Sequence, residues 1–255
     1  METAGPFQHP GFAPYRRWLR DGRVPDVAML NAWARDAELA LPDGRALAFV
    51  EGAVAGALAY EAAIRHDARI HVRRDSWHDA FNALAWLAFP RAKAALNACH
   101  VVEGRAESAN GRTRSRDAAT LLDESGLIVA CGDDSMRRLL REHAWHALFV
   151  ARQDAVADRL RVWVLGHGLL EKLRSPYRAL TAHVLWLPVA LDRDTALHAA
   201  DSAVARRLRA CATGPDDLLP LPVAALPGWD TERLGAALFD DAAVFRPARA
   251  TLAVS

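Results

Sequence analysis

Lysine is almost missing from this sequence: of 32 basic residues only Lys93 and Lys172 are not arginine. Asparagine (four), isoleucine (three) and tyrosine (three) are scarce beside 53 alanines. This is the mark of a GC-rich codon bias, which turns Lys into Arg and Ile into Val or Leu wherever physics permits. Arginine cannot replace lysine where a compact, rotatable ammonium is needed, so residues kept against the bias are candidates for chemical need. Asn82, Asn97 and Lys93 all fall within Trp77–His100. The three cysteines, Cys99, Cys131 and Cys211, are far apart and form no CxxC pair. That excludes a zinc ribbon or disulfide scaffold and fits a reducing compartment. There is no excess of one charge: 32 basic against 31 acidic residues leave +1, which argues against general nucleic-acid binding or a polybasic membrane surface. Long apolar runs are absent too. Ala46–Tyr60 is broken by Glu51 and Val162–Leu170 by His167, well short of the roughly 18–20 apolar residues that span a bilayer. Met1–Pro10 has neither a basic nor an apolar leader region. The expectation is a cytoplasmic protein, not a membrane one. No GxSxG, GxGxxG or phosphate-binding loop occurs.

What is present is ordinary globular material, 255 residues with 52% hydrophobic and 25% charged, enough to bury a core without disulfides. One domain is expected over 1–255: an N-terminal arm over 1–30, a globular core over 27–250, and a Pro-punctuated tail over 212–255 packed on it. Helices are expected around Val27–Leu39 and Ala46–Arg65. Asp75 or Ser76 caps a helix from Trp77, whose Trp77, Phe81, Leu84 and Ala88 recur at helical spacing. Phe89-Pro90 ends it, and Pro90 opens a second helix over Pro90–Cys99. Val101–Arg114 reads as a loop. Ala118–Leu122 and Leu127–Cys131, bridged by Asp123-Glu124-Ser125-Gly126, read as a β-hairpin. Helices follow over Met136–His143, His146–Leu160 and Arg193–Cys211, with a helix or strand over Val162–Leu173.

Trp77-His-Asp-Ala-Phe-Asn-Ala-Leu84, Phe89-Pro-Arg-Ala-Lys93, Arg116-Asp117 followed by Thr120-Leu-Leu-Asp-Glu-Ser-Gly126, Gly166-His167 followed by Leu170-Glu-Lys172, Thr181-Ala-His183, Leu226-Pro-Gly-Trp229 and Phe245-Arg-Pro-Ala-Arg249 together resemble a proteobacterial domain-of-unknown-function family, DUF3025. The resemblance runs from about Tyr60 to Arg249 and implies one bacterial domain. It brings no activity, so the chemistry is argued from the residues.

His78 and Asn82 share one helix face, away from Trp77 and Phe81, and His167 and Glu171 repeat that spacing. Facing helices build metal or acid–base sites from such pairs. Imidazole and carboxylate suit Zn, Fe, Mn or Ni, which makes His78, His167 and Glu171 the candidate ligands and Asp79 a candidate orienter. His167 lies between Gly166 and Gly168, where small neighbours let another group approach. Burying imidazole and carboxylate one turn apart costs several kcal/mol unless both are bonded. A core histidine on a carbonyl, and Glu171 paired with Lys172 or Arg174, is the plain alternative. Asp117 lies beside Arg112, Arg114 and Arg116, which in an extended segment would offer three guanidiniums to a phosphate or carboxylate; a solvated loop is the plain alternative and is favoured slightly. Asp123 and Glu124 are assigned to the hairpin turn. Cys99 and His100, being adjacent, point about 100° apart on a helix.

The expected fold class is α+β, predominantly helical, with a small hairpin or sheet. The expected function is metal-assisted hydrolysis of a small anionic substrate. His78, Asp79, Asn82, Asp117, His167, Glu171 and Lys172 would carry the chemistry, with Arg114, Arg116 and Lys93 holding the anion and a divalent metal on His78, His167 and Glu171. The alternative is a non-catalytic binding or scaffold protein in which the same residues form a structural polar network. One distance discriminates: ring nitrogens of His78 and His167 more than about 12 Å apart could not share an ion.

Overall fold

The computed structural model describes residues 7–110, 113–192, 196–209, 213–230, 232 and 234–247. In chain order the elements are α1 (Val27–Asp36), β1 (Ala48–Glu51), α2 (Ala57–Asp67), β2 (Arg69–Val72), α3 (Trp77–Ala88), α4 (Pro90–Asn110), α5 (Arg114–Ser125), β3 (Gly126–Ala130), α6 (Asp134–Arg141), α7 (Gln153–Arg159), β4 (Arg161–Val164), α8 (His167–Lys172), β5 (Thr181–Leu187), α9 (Ala196–Arg209) and β6 (Leu218–Pro222). The fold is α+β and predominantly helical. β1 and β2 pair in parallel, and a mixed sheet runs β4-β3-β5-β6. In it β3 is antiparallel to β4 and parallel to β5. β3 is buried at every residue, as its apolar run between two neighbours requires. Among the described residues no helix is long and apolar enough to cross a membrane.

Local sequence explains the elements that carry the site. The Ser76 side chain accepts from the Asp79 amide and starts α3. Phe89 leaves helical geometry (φ −132°, ψ 58°) and Pro90 opens α4, because proline needs no N–H partner in a first turn. The Thr113 side chain accepts from the Arg116 amide and starts α5. α3 packs on α8, α5 on α8 and α4, and α2 on α4, so one face of each turns to a common space. Behind it a continuous apolar core includes Phe81, Trp86, Leu96, Ile128 and Trp186.

Several expectations are corrected. The hairpin does not form: Ala118, Ala119 and Leu122 are the buried stripe of α5, and the chain passes from Ser125 straight into β3. α4 runs on to Asn110, through most of the expected loop. The expected helix over Ala46–Arg65 is strand β1, a loop in which Gly52 and Gly56 take positive φ (134° and 89°), and then α2; those glycines serve turns, not helix packing. His146–Leu160 is one π-helical turn followed by α7, and Val162–Leu173 holds both a strand and a helix. Pro10–Trp18 is a 3₁₀ segment with Phe12 and Tyr15 fully buried, and the Tyr15 hydroxyl donates to Val164 O at 2.6 Å. Arg112 and Cys211 lie outside the described residues.

Candidate functional site

The two imidazoles meet. His78 on α3 and the first residue of α8, His167, place their Nε2 atoms 3.1 Å apart, in a cleft of about 420 Å³ lined also by Tyr60, Glu61, Arg73, Asn82, Asp123 and Glu124. His78 is half-buried and His167 buried. One turn beyond His167, Glu171 brings Oε2 to 3.0 Å from His78 Nδ1. A ring N–H there donates to the carboxylate and leaves the Nε2 lone pair free. On the other ring, Nδ1 is buried with no hydrogen-bond partner among the described residues and lies 3.9 Å from Asp123 Oδ2. Each imidazole thus has a carboxylate behind Nδ1 and turns Nε2 towards the other.

The last turn of α5 supplies the carboxylates that the hairpin reading had removed. Glu124 Oε1 lies 3.5 Å from His167 Nε2, and one ligand atom from each of His78, Glu124 and His167 falls within 4.8 Å of the others. Hydrogen bonding to His167 holds the Glu124 carboxyl below its usual range. The glycines flanking His167 permit this approach. A Cβ on Gly166 would stand 2.6 Å from the Ser125 amide nitrogen and 2.7 Å from the Glu124 carbonyl carbon. One on Gly168 would stand 2.6 Å from Glu124 Oε2.

Behind the imidazoles lies a buried polar wall. Lys93, Asn97 and His100 recur along one face of α4, all buried, opposite Glu61 of α2 and Asp123 of α5. The Lys93 ammonium bonds Asp123 Oδ1. Burial alone would raise the Asp123 carboxyl; Lys93, helped by His167 and His100, overrides this and holds it at about 2. Asn97 Nδ2 donates to Glu61 Oε2 at 2.7 Å and to Glu61 O at 2.9 Å. Burial first, then the Asp123 charge, push the Glu61 carboxyl up to about 7.

Residues 47–249 match the family described as "Protein of unknown function (DUF3025)". The chain belongs to that family. No curated protein and no solved structure matches it.

In this DUF3025 chain the expected residues divide into two groups. His78, Asp79, Asn82 and His167 line the cleft, Glu171 bonds His78, and Lys93 lies behind Asp123. Asp79 orients no imidazole: Arg73 takes it through Nε at 2.9 Å and Nη2 at 2.7 Å. Asn82 donates to the Tyr60 hydroxyl at 2.7 Å. Among the described residues two groups could hold an ion: His78, Glu124 and His167, with Glu124 where Glu171 was expected, and Glu61, His100 and Asp123. The others are not brought to the cleft. Asp117 is in the first turn of α5, about 10 Å along the axis from Glu124. Arg114, largely exposed, pairs with Asp216, and Arg116 sits one turn before Thr120 on the same helix. Lys172 is exposed beside Arg174 and Tyr177. The Cys131 thiol is buried and pushed up by burial, so it is no nucleophile. Tyr60, Glu61, Asp123 and Glu124 were missed as site residues; Ala118, Ala119 and Leu122 fit the buried stripe of a helix as well as a strand, and the strand reading turned Asp123 and Glu124 into a hairpin turn.

Proposed function

We propose that this chain is a hydrolase assisted by one divalent metal ion on His78, His167 and Glu124, acting on a small substrate with an acidic group. The carrying observation is the arrangement of the imidazoles, Nε2 facing Nε2 at 3.1 Å with a carboxylate behind each Nδ1. Without an ion, one Nε2 must donate to the other. If His78 gives its Nδ1 proton to Glu171, a neutral His167 must donate from Nε2 and turn a bare Nδ1 lone pair to the buried Asp123 carboxylate, and avoiding that contact takes a second proton on the buried ring. An ion between the rings removes that repulsion, because both Nε2 atoms become ligands and both Nδ1–H groups face carboxylates. Two ligands each about 2.0–2.1 Å from a tetrahedral ion stand roughly 3.3 Å apart, close to the separation found. Two imidazoles and one carboxylate leave a fourth position open to water, and an ion there acidifies water and polarises the scissile bond. Arg73, bonded to Asp79 through Nε and Nη2, would offer the anion its remaining N–H groups in place of Arg114 and Arg116.

The test strips the purified chain with chelator, reloads it with Zn²⁺, Mn²⁺ or Ni²⁺, and measures bound metal by elemental analysis and hydrolysis with p-nitrophenyl acetate and p-nitrophenyl phosphate. About one ion per chain is expected, lost in His167→Ala, with Glu171→Gln weakening affinity about 10–100-fold. A wild-type chain that holds no stoichiometric ion under any loading condition removes the metal reading. What then remains is the non-catalytic protein with a structural polar network, of which the buried Lys93–Asp123 pair is a part.

A further inference from the structure

We propose that Glu61 is the proton-carrying group of this site, a general base towards water and then a general acid towards the leaving group. The inference rests on the hydrolase reading and adds the residue that moves the proton. Four carboxylates line the cleft, Glu61, Asp79, Asp123 and Glu124, and three of them are engaged by basic groups. Arg73 binds Asp79, Lys93 binds Asp123, and His167 stands against Glu124. A carboxylate bonded to a fixed cation or committed to an ion cannot take a proton near neutral pH. Glu61 is held instead by the neutral amide of Asn97, which orients the carboxyl and leaves it free to change its charge.

Charged and titratable groups face it from several elements. Lys93 and His100 face it from α4, Asp123 from α5 and His167 from α8, with Tyr60 beside it on α2. His71 and Arg73 line the same cleft from the β2 side. Burial and the Asp123 charge outweigh Asn97, Lys93 and His167 and bring the carboxyl to about 7, the range in which a general base is most effective at neutral pH. With an ester, the water oxygen bonds to the carbonyl carbon as one of its protons passes to the Glu61 carboxylate. The carbon–oxygen bond to the alcohol then breaks and that proton passes to the leaving oxygen. Ester and water become acid and alcohol, and Glu61 is again ionised.

The experiment follows carbon-13 resonances of glutamate carboxyls in the full chain across pH, beside p-nitrophenyl acetate hydrolysis by the zinc-loaded chain. One carboxyl is expected to titrate near 7 and to vanish in Glu61→Gln, with Glu61→Asp as a second variant that keeps an acid at the position. In Glu61→Gln, kcat/KM is expected to fall about 10²–10⁴-fold and lose its acid limb at unchanged zinc content. The proposal is overturned if every glutamate carboxyl titrates below about 5.5, or if Glu61→Gln keeps the acid limb. It is overturned equally if Glu61→Gln loses zinc, which would make Glu61 a ligand. The two readings fail separately: a wild-type chain without zinc sinks the hydrolase reading, whereas bound zinc with no shifted carboxyl sinks only the role of Glu61.

Discussion

Lys93→Met is expected to cost about 3–5 kcal/mol in folding free energy, because it strands a buried carboxylate. The Lys93 side chain is 3% exposed and that of Asp123 14%, so water cannot replace the lost ammonium. The pH dependence identifies the cause. In the wild type the Asp123 carboxyl sits at about 2, below its ordinary value of 3.8, so the pair stabilises the fold above roughly pH 4 and the contribution is lost as pH falls towards 2. Without Lys93, burial dominates and raises the folded-state value above the unfolded one. The sign then reverses, and the variant is most stable at low pH and loses stability as pH rises. Adding Asp123→Asn to Lys93→Met should recover much of the loss, since no buried charge remains, while Asp123→Asn alone strands the ammonium. Urea denaturation of the four chains at pH 5 and pH 8 measures this. A Lys93→Met loss below about 1 kcal/mol with unchanged pH dependence would show that the pair contributes little.

The scarcity of lysine singles out Lys93, though as a group to hold an anion and not as the buried partner of Asp123. In a chain that writes arginine nearly everywhere, a lysine is kept where a planar fork does not fit, and Lys93 places a compact ammonium in a buried space against one carboxylate. Asn82 and Asn97, retained in the same stretch, also lie in the cleft and its wall, bonded to Tyr60 and Glu61. The break at Phe89-Pro90 and the Ser76 cap were readable because each is fixed by local covalent chemistry. The α5–β3 junction was not. Ala118–Leu122 is a short apolar run that suits a strand or a helix, and Gly126 served equally as a turn residue or a helix end. Tertiary packing against α4 and α8 decides for the helix. That one error took Asp123 and Glu124 out of the site, since their carboxylates reach the imidazoles only from the last turn of a helix. Glu61 was hidden by reading one helix across the glycine loop, which gave no reason to place it opposite α4.

The glycines beside His167 separate fold from site, and their alanine variants should fail differently. At Gly166 an added methyl meets backbone: the Gly126 and Ser125 amide nitrogens and the Glu124 carbonyl carbon. None of these can move without pulling apart the α5–β3 junction and the turn into α8, where the Gly166 amide donates to Gly126 O at 3.0 Å. Gly166→Ala should therefore destabilise the chain by about 3 kcal/mol or more. At Gly168 the nearest atom is Glu124 Oε2, the far end of a flexible side chain, at 2.6 Å, and the Glu124 carbonyl oxygen at 3.0 Å has to give by only a few tenths of an ångström. Swinging that carboxylate aside costs little, and alanine is favoured over glycine inside a helix by up to about 1 kcal/mol. Gly168→Ala should keep its thermal midpoint within a few degrees of wild type while zinc affinity falls about 10-fold or more, because the third ligand has been displaced. Calorimetric unfolding and zinc titration of the two variants decide the matter. Equal loss of stability in both would mean that Glu124 is locked by the fold, and unchanged zinc affinity in a folded Gly168→Ala chain would take Glu124 out of the ligand set.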